Sequence, residues 1–199
     1  MQISFESNNK KRISSDRAIF LDRDGVLMSN VVREDSTLGS VRKQDEVIFN
    51  ESAEFALNLA VTNGFLVLVV SNQPDIERKL INRDDFENID NLLRNRFRDI
   101  VETRYCPHSG ERECNCRKPK PGLLYDLAAK FNLSLCKSWL IGDRDSDMQA
   151  GRSAGVNVIC VPPLVSGVLA ERTCKYQDAH FEANNLVSAV EMAIALAGQ

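Results

Sequence analysis

Two aspartates lie one residue apart at the end of a short apolar run near the start of the chain. The stretch AIFLDRDGV places Asp22 and Asp24 on either side of Arg23, with Gly25 directly after them. Like charges this close oppose each other's ionisation, so the arrangement favours a bound cation or a reaction that uses both carboxyls. Hard cations such as Mg2+ prefer carboxylate and carbonyl oxygens. One carboxylate can also act as a nucleophile while its neighbour moves a proton. A surface turn, in which Asp and Gly are favoured, explains the same residues equally well.

Further polar side chains follow two other apolar runs. Ser71 and Asn72 come directly after FLVLVV, and Asp143 follows WLIG. A hydroxyl with adjoining backbone N–H groups can hold phosphate oxygens, and Asp143 is a candidate to complete a Mg2+ site with Asp22. A Ser-Asn helix cap is the ordinary alternative for the first pair. Asp147 either supports the metal site or belongs to the acidic start of a helix.

A basic segment, RKPKPG, supplies Arg117, Lys118 and Lys120. A phosphoryl group in transfer carries negative charge on its equatorial oxygens, which a positioned cation stabilises. Lys118 is the candidate for that role, whereas Lys120 fits a solvated basic turn.

Four soft or borderline metal ligands are bunched in the segment CPHSGERECNC. They are Cys106, His108, Cys114 and Cys116, in the spacing C-x-H-x5-C-x-C. Three thiolates and one imidazole make a closed tetrahedral zinc site, which has no open position for substrate and is therefore structural. The alternative is a chance cluster of reduced thiols.

Strands and helices alternate along the chain, which predicts an α/β fold with a mostly parallel sheet. Because ligands bind at the carboxyl ends of such strands, we expect Asp22, Ser71 and Asp143 to share one site. The segment 29–50 is polar and irregular and is predicted to be a loop or flap. Predicted strands cover 17–22, 65–70, 101–106, 138–143 and 156–161, and predicted helices cover 51–64, 84–100, 121–132, 145–155 and 182–197.

The composition suits one compact domain and excludes several classes of protein. The chain has 199 residues, is 43% hydrophobic and carries a net charge of −3, which is not the basic footprint of a nucleic-acid binder. No apolar stretch reaches the length of a membrane span, and the polar N-terminus has no signal-peptide core. We expect a cytoplasmic monomer with reduced cysteines, a flexible lead-in over residues 1–15 and one domain over 16–199. The expected partner is a small phosphorylated metabolite, with no nucleic acid and no membrane.

The motifs DRDGV, SNQ, RKP and GDRDSD occur in this order after predicted strands or the cysteine cluster. Their order resembles the haloacid dehalogenase (HAD) superfamily of phosphohydrolases. The resemblance implies a Rossmann-like three-layer fold and Mg2+-dependent hydrolysis of a phosphate monoester. It makes Asp22 the nucleophile and Asp24 the general acid/base. It further implies phosphate binding by Ser71, Asn72 and Lys118, and Mg2+ binding by Asp22, Asp143 and the backbone carbonyl of Asp24.

The zinc-ligand loop at 106–116 narrows the resemblance to the D-glycero-D-manno-heptose 1,7-bisphosphate phosphatase and histidinol-phosphatase group. In that group the zinc loop stiffens a minimal cap beside the phosphate site. The resemblance also makes Arg117 a contact of the substrate phosphate and Arg144 a candidate for a second contact. The chain departs from the group at 29–46 and after SNQ, where Asp75 replaces a glycine. The expected function is hydrolysis of a heptose bisphosphate. Histidinol-phosphatase, polynucleotide 3′-phosphatase and non-catalytic binding on the same fold remain as alternatives.

Overall fold

A seven-stranded sheet forms the centre of the computed structural model, which describes residues 2–6, 15–111, 113–171 and 179–198. The strands are β1 (Ile3–Glu6), β2 (Ala18–Leu21), β3 (Val31–Val32), β4 (Leu38–Gly39), β5 (Leu66–Asn72), β6 (Ile100–Cys106), β7 (Trp139–Gly142), β8 (Asn157–Cys160), β9 (Leu164–Val165), β10 (Val168–Leu169) and β11 (Phe181–Glu182). The sheet order is β1-β6-β5-β2-β7-β8-β11, and every pair in it is parallel except β1 with β6.

Helices cover both faces of this sheet. They are α1 (Ala53–Thr62), α2 (Arg83–Arg96), α3 (Gly122–Phe131), α4 (Asp145–Ala154) and α5 (Leu186–Ala197). Alternate residues of β2 and β5 pack against α1, α2 and α5 on one face and against α3 and α4 on the other. Strands covered on both faces must be apolar throughout, which is why these two read as unbroken apolar runs. The expected three-layer α/β fold is confirmed.

Local sequence signals account for most helix ends. The side chain of Asn82 accepts a hydrogen bond from the Asp85 N–H (2.8 Å) and starts α2. Gly155 ends α4 with a φ of +78°, a conformation that suits glycine. The predicted helix over 84–100 ends earlier, at Arg96. Phe97 and Ile100 are buried and continue the apolar pattern, but they pack in the turn and at the start of β6.

The N-terminal segment contains a strand that the sequence did not predict. Residues 3–6 pair antiparallel with β6, so the expectation of a flexible lead-in over 1–15 is wrong for these four residues. Residues 7–14 of that segment lie outside the described part of the chain. Short edge strands carry little pattern of their own, because backbone hydrogen bonds rather than alternating side chains fix them.

The predicted flap has its own structure. Within 29–50 the chain forms the hairpin β3–β4 and a short 3-10 helix at Gln44–Glu46. We use "flap" below for residues 29–46. Asn30 bridges to Val165 of β9, so the flap lies beside the β9–β10 hairpin.

Two remaining expectations concern membrane spans and the cysteines. Among the described residues, no helix is long and apolar enough to cross a membrane. The expectation that the cysteines stay reduced is wrong at Cys160, which is disulfide-bonded. Cys106, Cys114, Cys116 and Cys136 are free.

Candidate active site

The carboxyl ends of three neighbouring strands bring Asp22, Ser71 and Asp143 together, as expected. Asp22 follows β2, Ser71 lies at the end of β5, and Asp143 follows β7; all three are buried. The Asp22 N–H donates to the carbonyl of Ile141 (3.1 Å), which continues the β2–β7 pairing to the edge of the sheet. Gly25 has a φ of +88°, and a Cβ there would lie 2.3 Å from Asp143 Oδ2. This turn therefore requires glycine so that the Asp143 carboxylate can approach.

Asp22 is held in its ionised form. Burial alone would raise the pKa of its carboxyl, but Lys118, the Ser71 hydroxyl and Arg144 outweigh burial and hold the pKa below its ordinary value. Lys118 Nζ lies 3.1 Å from Asp22 Oδ1. A buried carboxylate that keeps its charge at neutral pH is available as a nucleophile.

Lys118 is fixed from several sides. Its ammonium is ion-paired with Asp147 and donates to the carbonyl of Val70 (2.8 Å). The Asn72 side chain accepts from the Lys118 N–H (3.0 Å) and donates to the Lys118 carbonyl (2.9 Å). Asn72, which the resemblance assigns to phosphate binding, thus positions the Lys118 backbone while it also lines the cavity described below. The Lys118–Pro119 peptide bond is cis.

Asp22, Asp143 and Asp147 form a buried acidic cluster. Each offers a carboxylate oxygen, and these oxygens all lie within 4.8 Å of one another. Burial and the two neighbouring carboxylates raise the pKa of Asp143 well above its ordinary value. Burial first, together with Asp22, raises the pKa of Asp147 to about 6 despite its ion pair with Lys118. Asp147 also caps α4, since its Oδ2 accepts from the Arg144 N–H (3.1 Å).

This cluster fits a hard divalent cation. Three buried carboxylates face one buried ammonium, so the cluster has excess negative charge, and its donors are the oxygens that Mg2+ prefers. Of the two paired aspartates, only Asp22 contributes its side chain to this cluster of described residues.

The Asp24 carboxylate is held by two buried neighbours. Arg23 donates to both of its oxygens, at 3.0 to 3.2 Å. Gln73 Nε2 donates to Asp24 Oδ2 at 2.6 Å, and Gln73 Oε1 accepts from Arg23 Nη2 at 2.9 Å. The Arg23 guanidinium also lies over the rings of Phe86 and Tyr105, 5.7 and 5.6 Å from their centroids. Arg23 and Gln73 therefore set the orientation of Asp24; sequence reasoning missed both, although Arg23 lies between the two aspartates.

A cavity of about 330 Å³ opens above these residues. Asp22, Asp24, Ser71 and Lys118 line it, as do residues of the flap and of the loop after β5. Sequence reasoning missed three of its arginines, which come from separate places in the chain and carry no spacing signal. They are Arg33, Arg42 and Arg78.

The two arginines implied as substrate contacts, Arg117 and Arg144, also line this cavity. Arg117 Nη1 donates to the His108 carbonyl (3.0 Å), which ties it to the cysteine segment. Arg144 Nη2 donates to Asn30 Oδ1 (3.2 Å), and its Nε lies 4.0 Å from Asp143 Oδ2. Both cations therefore face the space in which a substrate would lie.

The predicted zinc ligands converge. Cys106 Sγ lies 3.3 Å from His108 Nδ1, 3.3 Å from Cys116 Sγ and 3.8 Å from Cys114 Sγ. Cys116 Sγ is also 3.3 Å from His108 Nδ1. A tetrahedral zinc ion with its usual bond lengths requires ligand separations of roughly 3.4–3.8 Å. The cluster is therefore nearly of the size that zinc needs.

The electrostatics of the cluster also suit a cation. Burial, with a contribution from the neighbouring thiols, raises the pKa of Cys106, and burial raises that of Cys116. Burial also acts on Cys114, but hydrogen bonds from the Arg117 N–H and from the other two thiols outweigh it and lower the pKa of Cys114. Metal binding would therefore release protons from Cys106 and Cys116.

Known proteins are similar to this chain in sequence. The HAD-hydrolase-like family model matches residues 115–187. The D-glycero-beta-D-manno-heptose-1,7-bisphosphate 7-phosphatase of Helicobacter pylori (strain J99) is 34% identical over 149 residues, covering 72% of this chain and 82% of that protein. The corresponding enzyme of Pasteurella multocida is 35% identical, covering 70% and 78%. The D-glycero-alpha-D-manno-heptose-1,7-bisphosphate 7-phosphatase of Burkholderia mallei is 34% identical, covering 70% and 76%.

Solved structures share the fold. The D,D-heptose 1,7-bisphosphate phosphatase of B. bronchiseptica, complexed with magnesium and phosphate, has a TM-score of 0.72 at 24% identity and covers 90% of this chain and 99% of that one. The D,D-heptose 1,7-bisphosphate phosphatase of Burkholderia thailandensis has a TM-score of 0.57 at 20% identity, covering 88% and 97%. The chain therefore belongs to the haloacid dehalogenase superfamily, as one of its phosphatases. Within that superfamily it is similar to the heptose-1,7-bisphosphate 7-phosphatases.

Proposed function

We propose that this phosphatase uses Mg2+ and an aspartyl-phosphate intermediate to hydrolyse a sugar bisphosphate of the heptose 1,7-bisphosphate type. The observation that carries the proposal is the contact between ionised Asp22 and Lys118 at the base of a cavity lined by arginines. The names of the relatives support the substrate class. A beta enzyme and an alpha enzyme are each 34% identical to the chain, so both anomers are candidate substrates.

In the first step the Asp22 carboxylate attacks phosphorus, and the bond from phosphorus to the leaving oxygen breaks. Lys118 and the Ser71 hydroxyl contact the transferring phosphoryl group, and Lys118 offsets its charge. Asp24, held by Arg23 and Gln73, gives a proton to the leaving oxygen. The products of this step are the dephosphorylated sugar and a phosphoryl group on Asp22.

In the second step Asp24, now ionised, takes a proton from a water molecule that attacks the phosphorus. The bond between phosphorus and the Asp22 oxygen breaks, which releases phosphate and restores the carboxylate. Asp24 thereby regains the proton that it gave up in the first step, so the cycle is balanced.

Asp22, Asp143 and the Asp24 backbone carbonyl would hold Mg2+, with Asp147 holding Lys118 beside them. Bound there, Mg2+ would neutralise charge on the nucleophile and on the phosphoryl oxygens. The excess of buried carboxylate at this place supports the assignment.

We propose zinc as the ion of the cluster Cys106, His108, Cys114 and Cys116. Its role is structural, because all four ligand positions are taken by the protein. Cys116 is followed directly by Arg117 and Lys118, so a fixed metal loop would help to position both cations.

The alternatives make different predictions. A histidinol-phosphatase would need partners for the amino group and the imidazole ring of its substrate. A polynucleotide 3′-phosphatase would need a basic surface beyond the cavity. The net charge of −3 favours neither a nucleic-acid substrate nor a nucleic-acid partner. A non-catalytic binding protein would have no use for Asp24 held by two dedicated neighbours.

The remaining proposals concern context. We propose a monomer with a single domain over residues 16–199, to which β1 adds an edge strand. We also propose a cytoplasmic location, because the cluster cysteines must stay reduced to bind zinc. Cell fractionation tests the location, and recovery of the protein outside the cytoplasm would contradict it.

The decisive experiment measures phosphate release from both heptose 1,7-bisphosphate anomers, histidinol phosphate and a 3′-phosphorylated oligonucleotide. We expect Mg2+-dependent release from a heptose bisphosphate and its loss in Asp22→Asn. Asp16→Asn is the matched control, because Asp16 precedes the same strand and pairs with Lys137. Faster release from either other substrate would contradict the substrate class, and unchanged release by Asp22→Asn would contradict the mechanism.

A further inference from the structure

Two arginines and one aspartate meet in the cavity wall formed by the flap and the loop after β5. Arg42 belongs to the flap, and Asp75 and Arg78 belong to the loop. In sequence, Asp75 is a departure from the related group that adds negative charge where a phosphorylated substrate would lie. In the structure Asp75 lies between two arginines, so its negative charge is offset by theirs.

The contacts show how Asp75 is shared. Arg42 Nε lies 2.7 Å from Asp75 Oδ2, and Arg78 Nη1 lies 3.9 Å from Asp75 Oδ1. Each carboxylate oxygen thus faces a different arginine. The Asp75 side chain is only 9% exposed, whereas the Arg78 side chain is 50% exposed.

The loop that carries Asp75 is held by its own backbone. The Asp75 carbonyl accepts from the Leu80 N–H (2.9 Å), and the Pro74 carbonyl accepts from the Arg78 N–H (3.1 Å). On the flap side, the Arg42 N–H donates to Glu46 Oε2 (2.7 Å). Both arginines are therefore presented to the cavity from ordered backbone.

The charges of this cluster leave it positive. Two guanidinium groups share one carboxylate, and Arg42 contacts Asp75 through its Nε rather than through a terminal nitrogen. The terminal nitrogens belong to the fork with which arginine binds phosphate oxygens. Arg33, the third missed arginine, is paired separately with Glu46 at 2.7 Å.

We propose that Arg42 and Arg78, positioned by Asp75, form a second anion subsite that binds the non-reacting phosphate of the substrate. The inference rests on the proposed function, since it names the group that selects a bisphosphate over a monophosphate. Asp75 is a positioning residue: it holds Arg42 across the cavity and reduces the repulsion between the two guanidinium groups.

A purely structural role makes a different prediction. If the Arg42–Asp75 pair only ties the flap to the loop, its loss weakens the binding of every substrate equally. The subsite predicts a loss confined to ligands that carry the second phosphate.

The test uses heptose 1,7-bisphosphate and heptose 7-phosphate as competitive inhibitors of p-nitrophenyl phosphate hydrolysis. We expect Arg42→Gln and Arg78→Gln each to raise the inhibition constant of the bisphosphate about tenfold or more, and to change that of the monophosphate by less than about threefold. Asp75→Asn is expected to lower the preference for the bisphosphate over the monophosphate as well. The control is Arg83→Gln, which removes an exposed arginine paired with Glu87 on α2 and should change neither inhibition constant.

Several results would overturn the subsite. In the arginine variants, these are an equal weakening of inhibition by both ligands, or no weakening at all. The others are a stronger preference for the bisphosphate in Asp75→Asn, and a wild-type enzyme that the bisphosphate inhibits no better than the monophosphate. Failure of the proposed function is distinguishable, because it would show as p-nitrophenyl phosphate hydrolysis that is unaffected by Asp22→Asn or by removal of Mg2+.

Discussion

Gln73→Leu tests whether Asp24 works as a proton carrier in the orientation that the structure shows. The substitution removes the amide that donates to Asp24 Oδ2 at 2.6 Å and accepts from Arg23 at 2.9 Å. Leucine has a similar volume, so the buried space stays filled. We expect the Asp24 carboxylate to lose the orientation that Gln73 imposes, while the contact between Asp22 and Lys118 is kept.

The size of the effect follows from the bond that is lost. A hydrogen bond to a charged group contributes about 1.5–3 kcal/mol. If that energy is used to orient Asp24 in the transition state, its loss lowers kcat/KM by roughly 10- to 150-fold.

The assay compares two leaving groups. An alkyl phosphate such as the heptose bisphosphate needs a proton on its leaving oxygen, and its kcat/KM should fall by the full amount. p-Nitrophenolate leaves without a proton, so kcat/KM for p-nitrophenyl phosphate should change by less than about threefold. Equal losses for both substrates would refute the reasoning, because Gln73 would then act on Asp22 or on the fold. Thermal unfolding of the variant separates these two cases.

Three further predictions concern metals and protons. Removing zinc with a chelator should lower the melting temperature and raise KM, as followed by calorimetry and steady-state kinetics; one zinc per chain is expected before treatment, and a metal-free protein of unchanged stability would contradict the site. Cys116→Ser should lower the melting temperature as zinc removal does, whereas Cys136→Ser, at an exposed free cysteine, should leave it unchanged. Burial raises the pKa of Asp147 to about 6 and that of Asp143 well above its ordinary value. Both groups bind protons more tightly in the folded than in the unfolded chain, where they ionise near about pH 4. The contribution of each group to the stability of the metal-free protein is therefore present below about pH 4. That of Asp147 is lost as the pH rises through about 6, and that of Asp143 is lost as the pH rises through its own raised pKa. Mg2+ should accordingly raise the melting temperature more at about pH 7.5 than at about pH 5.5, and the opposite order would contradict the assignment.

The residues at strand ends could be predicted because two general constraints act together. A run that is apolar throughout must be covered on both faces, and the carboxyl ends of parallel strands meet at one edge. Asp22, Ser71 and Asp143 follow such runs, so their proximity could be expected. The zinc ligands could be predicted for another reason, since their donors lie close together in the chain itself.

The positioning contacts that the sequence did not reveal join distant segments of the chain. Asn72 brackets Lys118 across 46 positions, and Gln73 reaches Asp24 across 49. Arg42 meets Asp75 across 33 positions. A polar side chain of this kind leaves no periodic pattern, because its partner is chosen by the tertiary fold. The short strands β1 and β11 were missed for a similar reason, since backbone pairing with a neighbour holds them.

The central claim is that Asp22 carries the phosphoryl group between the two steps. It is tested most directly by mixing Asp24→Asn with p-nitrophenyl phosphate and Mg2+, quenching in acid and locating the phosphoryl group by peptide mass spectrometry. The leaving group needs no proton, but the second step lacks its base, so the intermediate should accumulate on Asp22. A phosphoryl group on any other residue, or rapid turnover with no phosphorylated peptide, would contradict the mechanism.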